Sequence, residues 1–353
     1  MSQYRKKQDK KRLYKGIAIA AVVLAAGTVF VNIILGMADH HTVDQNSSIE
    51  AEETVTYKDQ IYVPKGNLET YLIAGIDDPG KVQEVTEYDG TGQCDVLVVI
   101  VRDRSTDTCK LLSVDRNTVT PVRSLADDGT YLATTDIQLS LAHSMGLDQN
   151  MRAENTVDAV STLLKGQKID GYAMINMSAI QVVNDMVGGV TVTIEDDFSE
   201  RDPSLKKGET VKLMGEHAEN YVRGRMDVAD GTNQNRMQRQ NDYEEAFKPA
   251  FRSKCDSDSK FPLQVYHALE DYMTTNIGAK KFCRLALLLA DNKKDDRVSI
   301  SGTYGSDEEG WQTFTPDDDS LQQAVLELFY KKRIKRKIQV QATCGNIKQG
   351  EKL

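Results

Sequence analysis

Apolar positions fall into three regimes along this chain. Residues 17–38 form one run of 22 with no charge, interrupted only by Thr28 and Asn32. As a helix that run reaches across roughly 30 Å of hydrocarbon. It predicts a transmembrane span rather than a cleaved signal peptide, whose apolar region covers about 7–15 residues. Residues 39–67 are polar, acidic and without sustained periodicity, which predicts a stalk. His40 and His41 fall in it with no third ligand nearby and read as juxtamembrane loop. Beyond the stalk, short apolar runs at 71–77, 95–101 and 109–114 predict strands, with 103–107 as the hairpin between the last two. Because these runs are apolar nearly throughout, both faces of their sheet need cover.

Helical spacing supplies that cover. Residues 136–145 predict a short helix, and Val157, Val160, Leu163 and Leu164 place one buried stripe on a helix over 155–164. A strand at 169–175, a helix at 178–186 and a strand at 190–194 follow, with Gly188 and Gly189 where a tight reversal favours positive φ. A further helix starts near Asp319. Alternating strands and helices predict an α/β fold: an α-β-α sandwich with a mixed central sheet and helices on both faces. The expected organisation is a cytoplasmic basic tail (1–16), a transmembrane helix (17–38), an extracytoplasmic stalk (39–67), a main domain (68–250) and a helical C-terminal extension packed on it (251–353).

Charge fixes the orientation and narrows the partners. The first fifteen residues carry seven Lys or Arg against Asp9, and such basic flanks stay cytoplasmic. The net charge of −9 therefore divides into +6 inside and −15 outside. A strongly acidic exterior argues against duplex nucleic acid, and with it against a transcriptional regulator. Against that background Arg223, Arg225, Arg236 and Arg239 crowd one short window, where a loop joins two helices. Planar guanidinium forks grip phosphate or carboxylate oxygens two at a time. The same arginines also fit solvated helix charges paired with neighbouring carboxylates.

Two features carry less. The five cysteines show no CxxC and no His pair, so zinc is not indicated; Cys255 with Cys283 is the pair to test first, beside idle thiols. Residues 331–337 hold six positive charges at the expected end of the last helix. They fit either docking on anionic head groups or wall polymers, or a solvated helix end that complements the dipole.

Several short motifs recur in a shared order: 72–77, Cys94-Asp95-Val96, 113–118, 139–146, 187–190, Gly208, Gly215-Glu216, 221–225 and 236–240. Together, behind one N-terminal membrane span, they resemble the LytR-CpsA-Psr family over about residues 68–250, with looser similarity at 275–282 and 314–330. The resemblance implies an extracytoplasmic phosphotransferase. Its substrate would be a polyprenyl-pyrophosphate-linked glycopolymer of teichoic acid or capsular polysaccharide type, its acceptor peptidoglycan, and its by-product polyprenyl phosphate. It implies Asp77 and Asp95 as ligands of Mg2+ (or Mn2+), and Arg116, Arg223, Arg225, Arg236, Arg239 and Gln240 as the pyrophosphate site. Arg116, Arg223, Arg225 and Asp95 would be catalytic. It also implies an apolar tunnel for the lipid, for which Leu139, Leu141, Val182, Val183 and Met186 are candidates. Two departures stand out. The family's Pro-Arg-Asp loop is Asp115-Arg116-Asn117 here, and Asn233 replaces an Asp three residues before Arg236. An amide is no base and a weaker metal ligand, which keeps open an alternative: a catalytically weak or inactive binding protein for polyprenyl-pyrophosphate or anionic glycopolymers.

Overall fold

The computed structural model describes residues 54–85, 90–126, 128–224, 227–228, 233–291 and 296–333. The expected membrane span, the first part of the stalk, Arg225, the fifth cysteine Cys344 and residues 334–337 lie outside them. Among the described residues no helix is long and apolar enough to cross a membrane.

The chain opens with two short strands, β1 (Val55–Tyr57) and β2 (Gln60–Pro64), before the long β3 (Leu68–Ile76), β4 (Cys94–Asp103) and β5 (Thr108–Val114). A hairpin of β6 (Val119–Leu125) and β7 (Tyr131–Gln138) leads into a single 3-10 turn at Leu139–Ser144. Then come α1 (Gln149–Leu163), β8 (Gly171–Asn176), α2 (Ala179–Met186) and the paired strands β9 (Val190–Thr193) and β10 (Thr210–Leu213). Helices α3 (Glu216–Arg223), α4 (Asn233–Ser257) and α5 (Phe261–Leu269) precede β11 (Met273–Thr275) and α6 (Ala279–Ala290). The last elements are β12 (Arg297–Val298), the hairpin β13 (Gly302–Ser306) and β14 (Gln312–Pro316), α7 (Asp318–Phe329) and β15 (Tyr330–Lys332).

The central sheet has six strands in the order β11-β8-β3-β4-β5-β12. It is mixed: β3 runs antiparallel to β4 and parallel to β8, and β5 runs parallel to β12. Period-two alternation splits its side chains between two apolar layers. Tyr71, Ile73, Val98 and Ile100 face one layer with α2, α4, α5 and α6. Leu72, Ala74, Val99 and Val101 face the other, with the 3-10 turn, α1 and α7. The expected sandwich is therefore present, with helices on both faces. Gly188 and Gly189 both adopt φ +87°, as the predicted reversal requires.

Four expectations need correction. The stalk's second half is structured: β2 pairs with both β1 and β15, and Lys65 N donates to Phe329 O at 2.9 Å. The partner strand lies some 270 residues away, so no local periodicity reveals it. Residues 136–138 finish strand β7, and only Leu139–Ser144 turns, in a 3-10 rather than an α geometry. The C-terminal part is not a purely helical extension, since β11 and β12 complete both edges of the central sheet. Finally, α7 ends at Phe329, and Lys331 and Lys332 lie in β15, so the first part of the basic run is a strand rather than a helix end. Cys255 and Cys283 are not joined to each other in a disulfide.

Candidate phosphate site

The candidate site forms where the end of β3 lies beside the start of β4. Ile76 pairs with Cys94 across the two strands, which brings Asp77 and Asp95 to the same sheet end. The Asp77 N–H donates to Gln93 O at 3.0 Å, and the Gln93 N–H returns to Asp77 Oδ1 at 2.9 Å. Beyond β5, Asp115 Oδ1 accepts the Asn117 N–H at 2.8 Å and closes a tight turn that holds up Arg116. The 3-10 turn grips this loop from behind: Ser140 N–H donates to Arg116 O and Leu139 N–H to Thr118 O. That grip is what the 139–146 motif does locally.

Asp95 is the hub. Its side chain is 2% exposed and pairs with Arg116 Nη1, while Arg116 Nη2 donates to Gln93 Oε1 at 2.9 Å. Its charge also reaches Asp77 and Arg223. Arg223, the last residue of α3, pairs one turn back with Glu219, which in turn accepts from Gln181 Nε2 at 2.6 Å. Burial draws the Arg223 guanidinium down from its ordinary value, and Glu219 and Asp95 pull it back; it stays a cation at any physiological pH. Arg116 and Asp95 thus pair, with Asp77 and Arg223 within reach of the Asp95 charge, and all four come from distant segments.

Other predicted residues are placed differently. Arg239 is 2% exposed, and its guanidinium is used within the protein. It pairs with Asp196, donates to the carbonyls of Tyr221 and Gly224, and stacks over the Phe198 ring at 5.4 Å. It is a clamp on the end of α3, not an open phosphate ligand. Gln240 Nε2 likewise donates to Val222 O at 3.4 Å. Arg236 is buried one turn earlier on the same helix. The tunnel candidates do not meet: Leu139 packs in one apolar layer and Val182, Val183 and Met186 in the other, so the sheet separates them.

Three residues were not predicted. Arg201 sits close enough for its charge to oppose that of Arg223, and pairs with Asp227 at 3.1 Å; it hides in an acidic stretch where an arginine reads as solvated. Arg152 is fully buried beneath the loop before Asp95, donating to Gly146 O at 3.3 Å and Thr91 O at 3.4 Å. Gly92 there has φ +76°, and a Cβ on it would lie 3.0 Å from Arg152 Nη1 and 3.2 Å from Asp78 Oδ2. His143 Nδ1 donates to Gly92 O at 2.8 Å. Burial, with the nearby Arg152 charge, holds this imidazole down at about 4, so it braces the loop as a neutral donor.

The carboxylates suit a hard cation. Burial, then the charges of Asp95 and Asp78, push Asp77 up to about 7, while the Gln93 hydrogen bond and Arg116 work against the rise. Crowded carboxylates that resist ionising are what a divalent ion relieves. No group of three or more His, Cys, Asp or Glu among the described residues is arranged as a metal cage. Mg2+ needs none, because it is held through one or two carboxylates with substrate phosphates and water completing its shell.

A pH dependence follows for the metal-free chain. Unfolded Asp77 releases its proton near 3.8 and folded Asp77 near 7, so the folded state binds more protons between these values and stability falls as pH rises through that window. Asp77→Asn should flatten this slope in thermal melts and raise stability at pH 7.5 by roughly 2–4 kcal/mol. Mg2+ should raise the parent melting temperature at pH 7.5 and leave that of Asp77→Asn nearly unmoved.

Comparison with known proteins bears on the family and the fold. A family model described as the LytR_cpsA_psr family matches residues 33–329, a longer stretch than the motifs mark. The teichoic acid transferase TagU of Halalkalibacterium halodurans, named as polyisoprenyl-teichoic acid–peptidoglycan teichoic acid transferase, is 28% identical over 222 residues, covering 61% of this chain and 66% of that protein. Biofilm regulatory protein A of Streptococcus mutans is 26% identical over 271 residues, 72% of this chain and 63% of that protein. Each match spans a little under two thirds of the relative. The crystal structure of B. subtilis TagV has the same fold, with TM-score 0.52 at 24% identity over 75% of this chain and 96% of that one.

Proposed function

The chain belongs to the LytR_cpsA_psr family, and from that premise we propose that it is a membrane-anchored transferase of cell-wall assembly. It moves a glycopolymer carried on polyprenyl pyrophosphate to a peptidoglycan hydroxyl. Residues 17–38 anchor it, with the N-terminus cytoplasmic and the folded domain outside. The observation that carries this reading is the convergence of Arg116 and Arg223 on Asp95 beside Asp77. The names of relatives such as TagU point the same way.

The chemistry is phosphoryl transfer. The acceptor oxygen bonds to the phosphorus that bears the glycan, the bridging P–O bond breaks, polyprenyl phosphate leaves, and the hydroxyl proton passes to solvent. Little covalent work falls to the protein; charge neutralisation and in-line positioning carry the rate. Arg116 spends one N–H of each terminal nitrogen on Asp95 and Gln93 and keeps the other hydrogen of Nη1 and of Nη2 for phosphate oxygens. Arg223, backed by Glu219, adds a second cation within reach of the Asp95 charge. Asp77 and Asp95 would hold Mg2+, which when bound neutralises charge on the pyrophosphate. Arg239 fixes the end of α3 and so the position of Arg223.

Asn233, where the family has Asp, favours the alternative of binding without turnover. To separate the two, the full chain in detergent is incubated with Mg2+ and a short-chain polyprenyl-pyrophosphate glycan. Release of polyprenyl monophosphate supports the transferase. Tight binding with no product, unchanged by Asn233→Asp, leaves only the binding protein.

A further inference from the structure

The chain has a single tryptophan, Trp311, and it is 60% exposed. It stands in the turn of the β13–β14 hairpin, with Tyr304 on β13, itself 56% exposed. The Tyr304 ring packs on Phe314 with centroids 5.0 Å apart, and the hairpin is anchored to the candidate site. Tyr304 Oη donates to Asp115 Oδ2 at 2.6 Å, and Asn117 Nδ2 donates to Gln312 Oε1 at 3.3 Å. The Phe314 N–H donates to Asn117 O at 2.8 Å, and Gln138 Nε2 to Gln312 O at 2.9 Å. The hairpin therefore grips both residues that flank Arg116. Its turn is held rigid around Trp311, whose N–H donates to Asp307 Oδ1 at 2.7 Å and whose carbonyl accepts from Asp307 N at 2.9 Å.

We propose that this hairpin is a carbohydrate platform on which Trp311 and Tyr304 stack against pyranose rings of the peptidoglycan glycan strand, leading its acceptor hydroxyl toward the Arg116 loop. The proposal rests on the transferase reading. A pyranose shows an apolar C–H face that packs on the electron-rich face of an aromatic ring, with its hydroxyls and amides reaching partners at the rim. Charge selects between the two carbohydrates involved. The segment 302–316 holds Asp307, Glu308 and Glu309 and no Lys or Arg. It repels a polyol-phosphate polymer and accepts hydrogen bonds from the hydroxyls of uncharged acetamido sugars. A rigid turn also lowers the ordering cost of binding.

Because Trp311 is the sole tryptophan, its emission reports on this surface alone. The full chain in detergent is titrated with N-acetylglucosamine hexasaccharide and, separately, with polyglycerol phosphate. The expected result is a saturable blue shift with the hexasaccharide and none with polyglycerol phosphate. By calorimetry Trp311→Phe retains binding, while Trp311→Ala and Tyr304→Ala each weaken it about tenfold or more. The proposal is overturned if the hexasaccharide gives no saturable shift, if polyglycerol phosphate gives one instead, or if Trp311→Ala binds as tightly as the parent. The titration uses neither lipid nor turnover. A chain that binds the hexasaccharide but yields no polyprenyl phosphate therefore fails the transferase reading alone, and the converse fails the platform alone.

Discussion

Arg116→Lys lowers the release of polyprenyl phosphate by about 100-fold or more, with the melting temperature close to that of the parent. A lysine keeps the positive charge that buried Asp95 needs, so the fold is not left with an uncompensated carboxylate. What it loses is the planar fork. The guanidinium holds Asp95 and Gln93 while still offering the second hydrogen of Nη1 and of Nη2. One ammonium on a flexible stem cannot hold both partners and also meet two phosphate oxygens. The expected pattern is a loss in kcat with a smaller change in binding, since the interaction strengthens as charge builds on the leaving phosphate. If the lysine variant turned over within a few-fold of the parent, Arg116 would be serving only as a counter-ion to Asp95.

Arg239→Ala is the second large effect, and it falls on stability. The substitution strips the partly buried Asp196 of its partner and leaves the buried carbonyls of Tyr221 and Gly224 without their donor. Breaking one side of such a network costs about 3–5 kcal/mol, a fall of roughly 10 °C in melting temperature for a domain of this size. Arg239→Lys should recover little of it, because the three partners lie at different points of a planar fork. The contrast with Arg116→Lys, which costs turnover and little stability, separates a clamp from a ligand in one pair of melts. Urea titration followed by tryptophan-independent circular dichroism measures it directly.

These two arginines also mark how far the sequence could be read. Both sit in motifs, both are surrounded by polar neighbours, and nothing local distinguishes them. The difference is tertiary: Asp196, 43 residues before Arg239, folds over it, whereas Arg116 is raised on a turn that leaves donors to spare. The sheet was legible because β3 and β4 are apolar on both faces, with Asp77 just after β3 and Asp95 at the start of β4. Its edges were not, because β11 and β12 have only three and two residues and borrow their pairing from β8 and β5. The resemblance made Leu139 and Val183 tunnel candidates, but the sequence could not say on which side of the sheet each lies, which is why the expected tunnel divides. Trp311 drew no notice because a lone exposed aromatic carries meaning only once its hairpin is seen gripping Asp115 and Asn117.

The central claim is that this site transfers a phosphoryl group rather than a sugar. The mass of a peptidoglycan fragment after incubation with the full chain, Mg2+ and the polyprenyl-pyrophosphate glycan tests it most directly. The account predicts a gain equal to the glycan plus one phosphate, with the lipid recovered as its monophosphate. A gain of glycan alone, with the lipid recovered as its pyrophosphate, would contradict it, because the bond broken would then be the glycosidic one and the arginines around Asp95 would be holding a leaving group they never cleave.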